Sequence, residues 1–204
     1  DGLSDRSAAR AGLFGGSNPK SQDTDRDGIP DAKDPWPLDA AAQARPRKTP
    51  DIDGTLSSDE WTPLAPIRGV SLKGQTFLNW DENGVYLAAK VAEPCVVEVH
   101  LTPENGSLFG DRKLEMRVNA QDATTLGGPV PVSQGKGAYA VARKDADGSV
   151  VVEIAIPRNP AIGLVPQMYQ SMGLGIQFSN KNDWTSVFEP WRLWEFRLME
   201  PNAR

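Results

Sequence analysis

Cysteine is nearly absent: Cys95 is the only one in 204 residues, which rules out an internal disulfide framework. Export is still compatible with that scarcity. Histidine is equally scarce. His100 stands alone, so a Ser-His-Asp triad would have to use it, and no serine sits in a glycine-flanked elbow. No apolar run approaches the length of a membrane span, so neither membrane insertion nor a signal sequence is expected within these residues. Basic residues are outnumbered, 22 Lys and Arg against 27 Asp and Glu, and they form no stripe. Nucleic acid is therefore not an expected partner. Amphipathic helical periodicity is also missing, apart from a weakly helical stretch at 159–170 that Pro160 and Pro166 interrupt. Hydrophobic residues make up 39% and charged residues 24%, ordinary values for a folded chain, and the length suits one good-sized domain plus an appendage.

What the sequence has in abundance near its start is aspartate. Asp23, Asp25, Asp27, Asp31 and Asp34 fall at positions 1, 3, 5, 9 and 12 of a twelve-residue loop with Gly28 at position 6. That is the spacing of a calcium loop. A hard cation of this size takes six to eight oxygens, and alternate residues of a tightly curled loop can all point inward. Gly28 allows the sharp turn, and Ile29 is placed to lend its backbone carbonyl. The expected metal set is Asp23, Asp25, Asp27, Ile29, Asp31 and Asp34, with calcium as the cofactor. Position 12 is Asp34 rather than the bidentate Glu of a calcium sensor, and Pro35-Trp36-Pro37 follows instead of a helix.

The string Asp-x-Asp-x-Asp-Gly-Ile-Pro-Asp-x-x-Asp resembles a thrombospondin type 3 repeat over residues 1–38. The resemblance implies a stalk in which calcium replaces a hydrophobic core, as in secreted bacterial proteins. Asp1-Gly2-Leu3-Ser4-Asp5 aligns with Asp27 to Asp31, as if the chain opened inside an earlier copy. Ala8 stands where that copy's last ligand would be, so one complete site is expected, on a fragment of a longer processed chain with flanking domains. Residues 39–50 read as a short linker, with the boundary near Pro50.

From Asp51 onward the period is two. Thr76, Leu78 and Trp80 alternate, and Asp81-Glu82-Asn83-Gly84 then reads as a hairpin turn whose Asn-Gly supplies positive φ. Val85, Leu87, Ala89 and Val91 continue. Further strands are expected around Cys95–Leu101, Leu114–Val118, Tyr139 and Val141, Val150–Ile156, Leu174–Phe178 and Trp194–Leu198. Eight or so half-buried strands with turn punctuation predict an all-β fold, an antiparallel β-sandwich of two layers.

Four stretches in order carry a second resemblance: Ile52-Asp53-Gly54 with Glu60-Trp61; Trp80-Asp81 with Gly84-Val85-Tyr86-Leu87; Gly110-Asp111 with Glu115; and Glu153-Ile154-Ala155-Ile156-Pro157. Together they are similar to the family 9 carbohydrate-binding modules and their DOMON-like sugar- or haem-binding relatives. The resemblance implies a jelly-roll-like sandwich over residues 51–204. It leaves the ligand open.

Trp61, Trp80 and Trp194 read as core, and Trp36 as glue between stalk and sandwich. Trp184 and Trp191 border a polar loop with Asn182 and Asp183, where a sugar's apolar face can stack on a ring while amides and carboxylates bond its hydroxyls. The family 9 resemblance implies two aromatic rings around a terminal sugar, which makes Trp184, Trp191, Asn182 and Asp183 the candidate site. His100 shares a face with Glu98, opposite Val97 and Val99, and so reads as a surface residue. Haem-carrying relatives use a His and a Met, but Met116 lies on the inward set. Glu115 and Asp111 could order a second cation or hold a loop. The expected function is a non-catalytic carbohydrate-binding module of a secreted protein, with a glycan as partner. A structural or adhesive spacer, or a haem-binding electron-transfer domain, are the alternatives.

Overall fold

The computed structural model describes Gln22 and residues 43–103, 113–121, 127–167, 171–188 and 194–199. The six expected calcium ligands, Trp36 and Trp191 lie outside them. Residues 44–204 form one compact unit, separate from residues 1–43.

Among the described residues thirteen strands make two sheets. In chain order they are β1 (Gln43–Pro46), β2 (Pro63–Arg68), β3 (Lys73–Asp81), β4 (Gly84–Val91), β5 (Val96–Thr102), β6 (Leu114–Asn119), β7 (Gly128–Val130), β8 (Val132–Ser133), β9 (Tyr139–Lys144), β10 (Val150–Pro157), β11 (Ser171–Ser179), β12 (Trp184–Phe188) and β13 (Trp194–Met199). One sheet runs β1-β13-β11-β5-β6-β8, with β12 also paired to β11; the other runs β2-β3-β4-β10-β9-β7. Pairing is antiparallel from β2 through β13. The chain is thus an antiparallel β-sandwich. No α-helix occurs among the described residues, and 159–167 contains only a single 3-10 turn, Pro160–Ile162, ended by Gly163 at φ 78°.

The core follows the alternation. Leu78 and Trp80 of β3, Val85 and Leu87 of β4, and Val152 and Ile154 of β10 face Val97, Val99, Met116, Ile176 and Phe178 of the other sheet, all buried. The phase of β9 is a correction. Ala140 and Ala142 point inward and are buried, whereas Tyr139 is 54% exposed. The inner layer opposite already holds bulky side chains, so the small residues of β9 take the inside positions.

The hairpin after β3 also differs in its physics. Neither Asn83 nor Gly84 has positive φ. The turn is held instead by the buried Asp81 carboxylate, which accepts from the backbone N–H groups of Asn83 (2.7 Å) and Gly84 (3.0 Å), the Tyr86 hydroxyl (2.8 Å) and the Thr49 hydroxyl (2.7 Å). Burial alone would raise its pKa, but these donors together hold it below the usual carboxylate range. Gly84 is needed for another reason: a Cβ there would overlap the Ile156 carbonyl oxygen of β10.

Residues 44–50 belong to the same unit as the sandwich rather than to a linker. The Trp80 indole donates to the Arg45 carbonyl (2.8 Å), Lys48 N–H donates to the Trp80 carbonyl (2.8 Å), and the buried Arg45 donates to the Pro63 carbonyl (2.7 Å). Prolines at 46 and 50 broke the sequence pattern there, although a strand at a sheet's edge tolerates a residue with no N–H to give.

The segment 51–61 covers part of the outer face of the six-stranded sheet. Trp61 packs with Tyr86, Ala88 and Ala155 in a second small cluster that Ile52, Leu56 and Phe77 extend. Glu153, fully buried on that face, accepts from Gly54 N–H (2.6 Å) and from the Trp61 indole N–H (3.0 Å). Two of the four sequence motifs are therefore joined through one carboxylate.

Candidate functional site

Trp184 opens β12 and is 55% exposed. Its neighbours in the preceding turn are organised by Asn180, whose side-chain oxygen accepts from the backbone N–H groups of Asn182 and Asp183, both at 2.8 Å. Asn182 is exposed. The Asp183 carboxylate is engaged by backbone: its Oδ2 accepts from Ser71 N–H (2.7 Å) and Leu72 N–H (2.9 Å), and the Leu72 bond, with that of Ser71, depresses its pKa. Gly69 makes room for it, since a Cβ there would lie 2.6 Å from the same oxygen. The structure thus leaves Trp184 and Asn182 on the surface and uses Asp183 to tie the β11–β12 turn to the β2–β3 turn.

The more informative surface is the outer face of the seven-stranded sheet, which sequence reasoning did not assemble. Alternation puts Glu98, His100 and Thr102 of β5 on that face, with Glu115 and Arg117 of β6 and Gln177 of β11. Register then sets them in rows. Gln177, Glu98, Arg117 and Ser133 are consecutive partners across β11, β5, β6 and β8; Gly175, His100 and Glu115 form the next row; Gly173 lies opposite Thr102. Ser186 pairs with Gln177, and Trp184 with Ser179, two residues further along. Trp184 therefore stands in phase with this face. Gly173, Gly175 and Gln177 of β11 are buried, and the polar groups of β5 and β6 form the more open flank of this face.

A depression of about 250 Å³ opens on that flank beside Glu98, His100, Glu115, Arg117 and Gln134. Glu115 bonds Lys113 (2.7 Å) and lies 3.6 Å from His100 Nδ1, while Arg117 lies 3.5 Å from Glu98. The Lys113 ammonium, with a smaller contribution from His100, holds the Glu115 carboxyl below its usual range. Gln134 takes φ 61°, a left-handed backbone rare for a residue with a side chain. Thr102 is 4% exposed and its hydroxyl has no hydrogen-bond partner among the described residues. A buried hydroxyl in that state costs free energy that a new partner would recover.

The chemistry available here is recognition by hydrogen bonds: carboxylates that accept, a guanidinium and an ammonium that donate, and an amide and an imidazole that do both. Among the described residues no cluster of three or more His, Cys, Asp or Glu is placed to hold a metal ion. Glu115 forms its ion pair as described, and Asp111 lies outside the described residues. His100 and the buried Met116 point to opposite faces of one sheet, an arrangement that does not let both ligate one haem iron. Cys95 is buried, and burial pushes its thiol up to about 12, so it stays protonated and unreactive. The sequence held a signal for the polar rows, in that Glu98, His100, Glu115 and Arg117 are the out-of-phase positions of apolar strands. Only the register shows that they meet.

No protein-family model matches the chain, and no curated protein matches it. Among solved structures it is similar to a carbohydrate binding module family 9 from Caldicellulosiruptor kristjanssonii in complex with glucose. That match has a TM-score of 0.61 and 18% identity, covering 79% of this chain and 98% of that one. It is also similar to a family 9 module of the same organism in complex with cellotriose, with a TM-score of 0.58 and 20% identity, covering 79% and 97%. At these identities the likeness is one of fold. No described helix is long and apolar enough to cross a membrane.

Proposed function

We propose that this chain is a non-catalytic carbohydrate-binding module carried on a calcium-stiffened stalk, part of a larger secreted bacterial protein. One observation supports the binding role above others: exposed Trp184 and the row Gln177, Glu98, Arg117, with His100 and Glu115 beside it, share one sheet face. A pyranose presents an apolar C–H face and a rim of hydroxyls. A ring at one end of a hydrogen-bonding surface suits both parts. β11 runs about 13 Å from Ser179, opposite Trp184, to Gly175, opposite His100. That span fits an oligosaccharide laid across the face better than a single sugar held between two rings. The sandwich fold shared with modules solved with glucose and with cellotriose is consistent with this reading.

The test is calorimetric or chemical-shift titration with soluble oligosaccharides, cellotriose first. Binding near 10⁻⁴ M, about −5.5 kcal/mol, is expected. Trp184→Ala is expected to weaken it at least tenfold, and Trp191→Ala to weaken it too. Because Trp184 is exposed, its removal should leave thermal stability within about 0.5 kcal/mol of the parent. A broad panel of glycans without a binder would overturn the proposal.

The stalk rests on the donor set: five carboxylates and the Ile29 carbonyl, all hard oxygens of the kind calcium takes. When bound, the ion would supply the cross-links that a short Asp-rich segment cannot make by burial. Affinity on the order of 10⁻⁴ to 10⁻³ M is expected, as for extracellular modules. Asp27→Ala should abolish it and make residues 23–38 protease-sensitive while the sandwich stays folded. Unchanged calcium binding in that variant would remove the stalk from the proposal.

A further inference from the structure

The outer face of the six-stranded sheet carries a separate feature. The segment 52–61 covers it where Glu153, Ala88 and Ala155 lie, and at the next row Gly54 and Thr55 reach Arg143. There Lys90, Val151 and Arg143 are consecutive partners across β4, β10 and β9, so all three point the same way. Beside that row lies a cleft of about 740 Å³. Its floor is Phe77, Lys90 and Val151, one wall is the backbone and hydroxyls of 54–58, and the other is the β9–β10 turn from Arg143 to Ala146. The volume falls within the roughly 300–1,000 Å³ of small-ligand sites.

Its chemistry differs from that of the opposite sheet. The lining holds three cations, Lys90, Arg143 and Lys144, against one anion, Asp145, in a chain whose formal charge is −5. Lys90 is committed to the wall, since its ammonium bridges Asp145 (2.6 Å) and Asp147 (2.9 Å) across the turn. Arg143 and Lys144 are exposed at the rim, and Arg143 touches the Thr55 hydroxyl at 3.4 Å, its guanidinium fork spanning from one wall to the other. Thr55, Ser57 and Ser58 bring hydroxyls, and the half-buried Phe77 brings an aromatic surface.

We propose that this cleft is a second ligand site, for a saccharide that carries an anionic group, either a carboxylate or a sulfate ester. Phe77 takes the apolar face of the sugar, the 55–58 wall bonds its hydroxyls, and the Arg143 fork takes the two oxygens of the anion, with Lys144 adding charge beside it. The site is independent of Trp184, which stands on the outer face of the other sheet.

The experiment is an amide-detected titration of the full chain with trigalacturonate, with a sulfated heparin disaccharide, and with uncharged maltotriose. At least one anionic probe is expected to shift the amides of Thr55, Ser57, Arg143 and Ala146, and which probe does so identifies the anion. Arg143→Glu should weaken that response at least tenfold, about 1.4 kcal/mol. Lys144→Glu should weaken it less, added salt should weaken it further, and Trp184→Ala should leave it intact. The site is refuted if neither anionic probe shifts those amides. It is also refuted if maltotriose shifts them equally, or if both charge reversals leave the affinity unchanged in folded protein.

Discussion

Replacing Glu153 by alanine is expected to cost the sandwich roughly 3–4 kcal/mol and to lower its thermal midpoint by about 10 °C. The loss has two parts. The Gly54 N–H and Trp61 indole N–H both lose their acceptor in a place water does not reach, and the small cluster around Trp61 loses its anchor. The same carboxyl sets a pH dependence. Burial pushes its pKa up to about 7, an effect that the two N–H donors oppose and the neighbouring Asp53 charge assists, against an ordinary value of 4.5. Below about 4.5 it is neutral in both folded and unfolded chains. Between 4.5 and 7 the folded chain keeps a proton that the unfolded chain releases, so stability falls as pH rises through that window, by roughly 3 kcal/mol in all. Above 7 it is ionised in both states and the loss is complete.

Glu153→Gln separates these effects. The amide does not titrate, but it offers one acceptor to two donors. The variant should therefore be less stable than the parent at pH 5 and close the gap, or reverse it, by pH 8. Thermal melts across that range check it. A constant difference between the two proteins would mean that Glu153 is ionised in the fold throughout.

Gly74→Ala is expected to be strongly destabilising. Gly74 lies in β3 opposite Val91 of β4, and a Cβ there would overlap the Lys90 carbonyl oxygen and come within 2.9 Å of its carbon. The obstacle is backbone, which has no rotamer to yield. β3 and β4 would have to part at the end of their shared ladder, a change expected to cost upwards of roughly 3 kcal/mol. Gly128→Ala is the control. Nothing lies within 4 Å of a Cβ at that position and its φ is not positive, so the change should stay within about 0.5 kcal/mol. Equal stability of the two variants by denaturant titration would show that the β3–β4 contact is looser than described.

Where a strand faces core on one side, its sequence reads clearly. Leu114, Met116 and Val118 declare their phase because the burial of every second residue is what a half-buried strand must encode. β9 failed that reading because Tyr139 and Val141 look more apolar than Ala140 and Ala142. Inward position there was decided by the room left between the sheets. Glu153 was illegible for the opposite reason. It occupies the outward phase of β10, where a carboxylate signals water, and only the segment 52–61, about a hundred residues earlier in the chain, takes the water away.

The sequence alone determined the all-β character, the two-layer arrangement and the phases of the strands that face both layers, since these follow from local alternation and turn residues. It also determined the spacing of the carboxylates between Asp23 and Asp34. Tertiary structure decided which polar residues become neighbours. Glu98 and Arg117, or Trp184 and Ser179, are partners through register between strands, and register depends on contacts far apart along the chain. The same holds for Asp183, whose carboxylate was equally suited to a ligand until two backbone N–H groups from residues 71 and 72 reached it first.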